Sequence, residues 1–157
     1  MNHKLDTDTQ VFFYEQDFYV FSNFASFKLF WVGRDFYTSE VAYQWEKFRG
    51  ASVIQDIIVA QPSSHASFRA AQELKEHARK DWDDVKVDIM RDILRAKVDQ
   101  HVYVEQKLLA TGDREMIEDS WRDDYWGWGE NKDGQNMLGN LWMEIRDEIR
   151  QARYDNK

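Results

Sequence analysis

Residues 38–50 read TSEVAYQWEKFRG. The segment carries both end signals of a helix. Thr38 or Ser39 supplies an oxygen for the N–H groups a helix start leaves orphaned, and Gly50 closes it without a Cβ penalty. Helical spacing puts Glu40, Gln44 and Lys47 at i, i+4 and i+7, with Tyr43 beside them, on one face. Val41, Ala42, Trp45 and Phe48 take up much of the remainder. An acid, an amide and an amine in line on an aromatic, apolar helix resembles an active-site wall more than a solvated face.

Upstream, residues 11–14 make a short strand candidate, followed by an acidic turn at Glu15-Gln16-Asp17. Residues 18–21 lead into Ser22-Asn23-Phe24, a turn between aromatic runs. Residues 27–32 alternate weakly, Gly33-Arg34 is placed as a two-residue turn with Gly in its first central position, and residues 35–37 return. Downstream, Val53, Ile54, Ile57 and Ile58 keep one-face helical spacing as far as Pro62, the one proline. Ser63 or Ser64 can cap a further helix to about residue 79. Asp83 can open another, on which Met90, Ile93, Leu94 and Lys97 keep the rhythm. Residues 102–111 make the next, ended by Gly112. Residues 116–120 are extended, and a closing helix over about 137–153 buries Leu138, Leu141, Trp142, Ile145 and Ile149. The expected class is α+β and mainly helical. It comprises a single compact multi-helix domain over residues 11–153 with a small N-terminal antiparallel β-hairpin, after a flexible 1–10.

Composition narrows the chemistry. The 157 residues are enough for one real core, and 43% hydrophobic content with seven Trp argues for a folded chain. The net charge of −8 disfavours sequence-independent grip on a nucleic-acid backbone, although two or three local Lys or Arg can still hold a phosphorylated small molecule. The absence of Cys removes thiol nucleophiles, Cys-ligated metal and disulfides together. No N-terminal apolar run suits a signal peptide and no stretch reaches membrane-spanning length, so a cytoplasmic protein without membrane partners is expected.

Each candidate residue has a plain structural reading beside the chemical one. Lys47 is either a snorkelling surface amine or a partly desolvated one, and desolvation lowers a lysine pKa until the neutral amine can attack carbon. Glu40 in a first helical turn is stabilised by the helix dipole whatever its chemistry. In residues 122–134, RDDYWGWGENKDG, acids beside planar rings and permissive glycines suit a ribose or a base. Residues 134–139 enter the last helix, where free N–H groups could receive a phosphate. His3, His65, His77 and His101 show no metal spacing, and there is no P-loop, dinucleotide fingerprint or GxSxG elbow.

An ordered set of blocks is similar to the NADAR family, the NAD- and ADP-ribose-associated, YbiA-like N-glycosidases. These are Ser22-Asn23-Phe24; Thr38-Ser39-Glu40 with Tyr43-Gln44 and Lys47-Phe48; Arg79-Lys80-Asp81-Trp82; residues 90–97; Asp124-Tyr125-Trp126-Gly127 with Gly129; and Gly134, Asn136 and Leu138-Gly139. The likeness runs from about residue 11 to 150. One departure is Val41, where many relatives carry a histidine. The resemblance implies cleavage of an N-glycosidic bond at the anomeric carbon of a ribose phosphate, without metal or cofactor. Its substrates would be ADP-ribosylated guanine, as a nucleotide or in modified DNA, or phosphoribosylamino-pyrimidine intermediates of riboflavin biosynthesis. A non-catalytic ADP-ribose-binding module is a further alternative. By similarity Lys47 would capture the anomeric carbon as a Schiff-base-type adduct and Glu40 would transfer protons. Asn23, Phe24, Tyr43, Gln44, Trp82, Asp124, Tyr125, Trp126, Gly127 and Asn136 would contact substrate.

Overall fold

The computed structural model describes residues 6–14 and 18–157. The Glu15-Gln16-Asp17 turn and residues 1–5 of the expected flexible tail lie outside the described residues. Within residues 6–10, Asp6 Oδ1 accepts from the Phe12 N–H at 2.8 Å and Thr7 N–H donates to the Gln10 carbonyl at 2.9 Å. The chain is mainly helical with short strands, as expected. Its contacts gather into two units, one of Asn23–His101 and one of Met1–Ser22 with Val102–Lys157.

The Asn23–His101 unit is built around α1, Ser39–Lys47. The Thr38 side chain accepts from the Val41 N–H, so of the two expected candidates Thr38 is the cap. Gly50 follows at φ +95°, the left-handed stop the sequence asks for. Two strands precede α1: β2, Leu29–Trp31, and β3, Arg34–Phe36, which pair antiparallel with Trp31 opposite Arg34. That register corrects the expected turn. The two central residues are Val32 and Gly33, at φ 44° and 84°, a left-handed pair whose twist matches the flanking strands. After α1 come α2, Ser52–Val59, and α3, Ser64–Glu73, capped by Ser63. A 3-10 turn at Lys75–His77 then leads to α4, Trp82–Gln100. The expected inward face of α2 is only partly inward. Ile58 is buried and Gln55 takes a buried place, whereas Val53 is exposed. The Gln55 side chain donates to the Trp45 carbonyl at 3.2 Å, which lets a polar residue occupy that position. On α4, Met90, Ile93, Leu94 and Lys97 are all buried, as the rhythm predicts.

The other unit is formed from both ends of the chain. β1, Gln10–Phe13, pairs in parallel with β4, Glu115–Glu118, with Val11 opposite Met116. This pairing is long-range and leaves no local mark in the sequence. Residues expected to be a plain connection form a 3-10 turn at Tyr19–Phe21. α5, Val102–Ala110, stops before Gly112 at φ +65°. α6, Met137–Asp155, buries Leu138, Leu141, Trp142 and Ile145, and Trp142 Nε1 donates to the Phe21 carbonyl at 3.0 Å. Among the described residues no helix is long and apolar enough to cross a membrane.

Candidate active site

α1 is buried almost all round. Its polar stripe is therefore not a solvated face, since Glu40 is 6% exposed and Gln44 3%. Polar side chains so placed need partners inside the protein. One turn of helix separates these two, and Gln44 Nε2 donates to Glu40 Oε1 at 2.8 Å. Gln44 Oε1 is buried with no hydrogen-bond partner among the described residues. The amide is thus oriented by the carboxylate, whose charge-assisted bond outweighs an unused acceptor.

The start of α1 is fixed by Asn23. Its carbonyl accepts the Glu40 N–H at 3.1 Å, and its Oδ1 accepts the Ser39 hydroxyl at 2.9 Å. Its Nδ2 points to Met90 Sδ at 3.4 Å, so the amide also reaches α4. Phe24, next in sequence, stacks on His65 at 4.4 Å with planes 15° apart, near Phe68. One turn beyond Glu40, the Tyr43 ring meets the Trp82 ring at 4.9 Å. Glu40, Tyr43, Gln44, Lys47, Asn23, Phe24 and Trp82 therefore belong to one unit, carried by α1, the turn before it and the start of α4.

Lys47 closes the stripe, half-buried at the C-terminal end of α1. Its carbonyl accepts the Arg79 N–H at 2.9 Å, which ties the segment before α4 to this end of the helix. Burial holds the Lys47 amine below the ordinary lysine range. Glu40 pulls in the opposite direction, while the neighbouring charges of Lys75 and Lys86 lower it further and Asp83 raises it. An amine so placed surrenders its proton more readily than a surface lysine.

Asp124, Tyr125, Trp126, Gly127 and Asn136 lie in the other unit, in the segment between β4 and α6. Asp123, the neighbour of the assigned acid, organises it. Its Oδ1 accepts the N–H groups of Tyr125 at 2.9 Å and Trp126 at 2.8 Å. The Tyr125 and Trp126 rings meet edge to face at 5.0 Å. Gly127 is required by crowding, because a Cβ there would lie 2.9 Å from the Asp123 and Glu118 carbonyl oxygens. Asn136 uses both ends of its amide on β4, with Oδ1 accepting from the Glu118 N–H and Nδ2 donating to the Met116 carbonyl. The phosphate position expected at the start of α6 is corrected. The N–H groups of Asn136, Met137 and Leu138 already donate to the carbonyls of Gly127, Tyr125 and Trp126. Such donors have no free valence for an anion.

Two features escaped the sequence reading. Glu46 is buried and accepts from Trp31 Nε1 and from Arg49, with Arg79 at 3.9 Å; nothing in its spacing marks it off from a surface acid. Lys75 and Lys86 are the second. Lys86, at i+4 from Trp82, had a signal that could have found it. Among the described residues no three His, Cys, Asp or Glu side chains gather as a metal site.

The NADAR domain model matches residues 12–150. The chain is 37% identical over 145 residues to N-glycosidase YbiA of Escherichia coli, covering 90% of this chain and 89% of that one. It is 35% identical to N-glycosidase Npun_R5314 of Nostoc punctiforme, covering 89% of this chain and 92% of the relative. Riboflavin biosynthesis protein VVA0006 of Vibrio vulnificus is 34% identical over 90% of this chain, which spans 39% of that longer protein. The NMR structure of E. coli YbiA superposes with a TM-score of 0.84 at 34% identity, over 96% of this chain and 90% of that one.

Proposed function

The chain belongs to the NADAR domain family and is a hydrolase of N-glycosyl bonds, and from that premise we propose that it cleaves the ribose C1′–N bond of ADP-ribosylated guanine through a Lys47 adduct. The observation that carries the chemistry is the buried Glu40–Gln44 pair sharing α1 with a half-buried Lys47 whose amine is held below the ordinary lysine range. Neutral Lys47 Nζ bonds to C1′ as the C1′–N bond to the base breaks. Glu40 takes the proton lost by the amine and returns it to the departing base nitrogen. Opening of the ribose ring, with O4′ protonated, leaves a C1′=Nζ imine. Water adds to that carbon, and collapse of the adduct releases the ribose aldehyde and the free amine. Asn23 fastens the start of the stripe, Phe24 follows it in sequence, and Tyr43 on α1 packs against Trp82, an amide and three rings of the kind that suits a ribose and a planar base.

A second substrate reading is favoured by one specific observation, the relative named as a riboflavin biosynthesis protein. Phosphoribosylamino-pyrimidines carry the same C1′–N linkage and would use the same two side chains. Incubation with ADP-ribosylated guanosine or the pyrimidine nucleotides, followed by borohydride and intact mass measurement, should trap one ribose-containing adduct. Lys47→Ala should abolish it, and Glu40→Gln should slow base release about 10²–10⁴-fold. Full activity in Lys47→Ala would overturn the covalent step. A greater loss in Glu40→Gln than in Lys47→Ala would transfer the central role to Glu40-activated water.

A further inference from the structure

We propose that Lys75 and Lys86, flanking Lys47, form a subsite for the phosphate ester on C5′ of the substrate ribose. The inference rests on the N-glycosidase reading above and names the substrate feature it would recognise. The start of α6 offers no anion site, because the N–H groups of its first residues are spent on loop carbonyls. Cationic side chains are another means of holding a phosphate, and a chain of net charge −8 has few to spare at any one place.

Two contacts bring these lysines to the catalytic end of α1. The Arg79 N–H bond to the Lys47 carbonyl, 2.9 Å long, fixes the segment that begins with the Lys75 turn. The Tyr43–Trp82 ring contact fixes the first turn of α4, and Lys86 stands one turn further along that face. Lys86 is held rather than free to sweep solvent. Its side chain is 22% exposed and its amine lies 3.3 Å from Asp83, itself 90% exposed. Lys75 is exposed, and it forms no ion pair or hydrogen bond through its side chain among the described residues. Both charges are near enough to act on the Lys47 amine. Lys75 therefore has an unmatched charge, and Asp83, one partner of Lys86, is a solvated carboxylate that competes weakly with a phosphate. A phosphate held by these amines would fix the far end of the ribose while C1′ faces Lys47, which is positioning of the kind that accelerates attack.

The test is a binding titration of the full-length protein with ribose, ribose 5-phosphate and ADP-ribose. Wild type should bind ribose 5-phosphate at least about tenfold more tightly than ribose, the scale of one charge-assisted hydrogen bond. The Lys75→Gln/Lys86→Gln double variant should lose most of that ratio, with its circular dichroism unchanged. The single variants Lys75→Gln and Lys86→Gln, each a milder change, should lose it in part. The ADP-ribose arm tells whether a monoester or a pyrophosphate is preferred. An unchanged ratio in all three variants, or no phosphate preference in wild type, overturns the subsite. Binding is read without turnover, so absence of base release from every N-glycoside would overturn the enzymatic reading and leave this measurement standing.

Discussion

Among the described residues two lysines, Lys47 and Lys97, are held away from their ordinary ionisation, and they differ in what that does. Lys47 shares α1 with Glu40, and its lowered pKa enlarges the neutral fraction that can attack carbon. The rate of base release should therefore rise with pH and level off before the ordinary lysine value of 10.5. A profile still climbing at that pH would refute a neutral Lys47 nucleophile. Lys97 is fully buried, with its amine 5.4 Å from the Phe27 ring centre, and burial pushes it down to about 7. Its folded value lies below its unfolded value of 10.5, so between pH 7 and 10.5 the unfolded chain holds a proton that the native state lacks. Rising pH then disfavours unfolding, and the penalty, complete below pH 7, is relieved through that window. In urea titrations the stability of wild type relative to Lys97→Met should rise with pH, with a slope approaching about 1.4 kcal/mol per pH unit in that window. Parallel stability curves would refute it. Lys97 was legible in the sequence as a member of an apolar rhythm. That its amine would go in with the stem was not, since a snorkelling lysine has the same spacing.

At the scale of elements, local signals did most where the energetics are local. The cap of α1, the Gly50 and Gly112 stops and the Ser63 start of α3 are side-chain or backbone preferences acting within a few residues. The hairpin turn was displaced by one residue because a glycine alone does not say which side of it the second left-handed residue lies. The structure puts Val32 there, a β-branched residue at φ 44° and 51% exposed. Left-handed backbone costs an L-residue about 1–2 kcal/mol, and asparagine is among the few side chains that relieve it. Val32→Asn should stabilise the protein by about 1 kcal/mol, raising Tm by about 2–4 °C. A lower Tm would show that the exposed Val32 side chain is a needed packing group. The end of α5 is held by side chains with no local sequence signature. Arg114 donates to the Thr111 and Ala110 carbonyls, Arg146 to Thr111 Oγ1 and the Arg114 carbonyl, and Arg150 to the Gly112 carbonyl. Cations at a helix C-terminus complement its partial negative charge. Two of these three come from α6, so only the folded chain discloses the arrangement.

Across the whole molecule, one unit is continuous in sequence and the other closes over the length of chain between its halves. The closure is the parallel pairing of β1 with β4, which requires residues 14–114 to be spanned before its hydrogen bonds form. The aromatic, apolar run of residues 11–14 announced a strand, but a partner so far along the chain is a property of topology. Gly139 is where that closure is most sensitive. A Cβ there would lie 2.0 Å from the Met116 carbonyl oxygen and 2.6 Å from the Asn136 amide, the two groups that join α6 to β4. Neither obstacle is the loose end of a flexible chain. The Met116 carbonyl belongs to a strand paired with β1, and the Asn136 side chain is bonded at both ends. Gly139→Ala must therefore move α6 from β4 or break the Asn136 bridge. The cost should fall at or above the upper end of the about 1–3 kcal/mol usual for overpacking. Helix propensity alone would have made the same substitution favourable by about 1 kcal/mol, so the sign of the change separates the two effects. Thermal unfolding should show a lower Tm, and hydrogen exchange should show faster exchange at the paired amides of β1 and β4. A neutral or stabilised Gly139→Ala would mean that the helix does not approach the strand this closely.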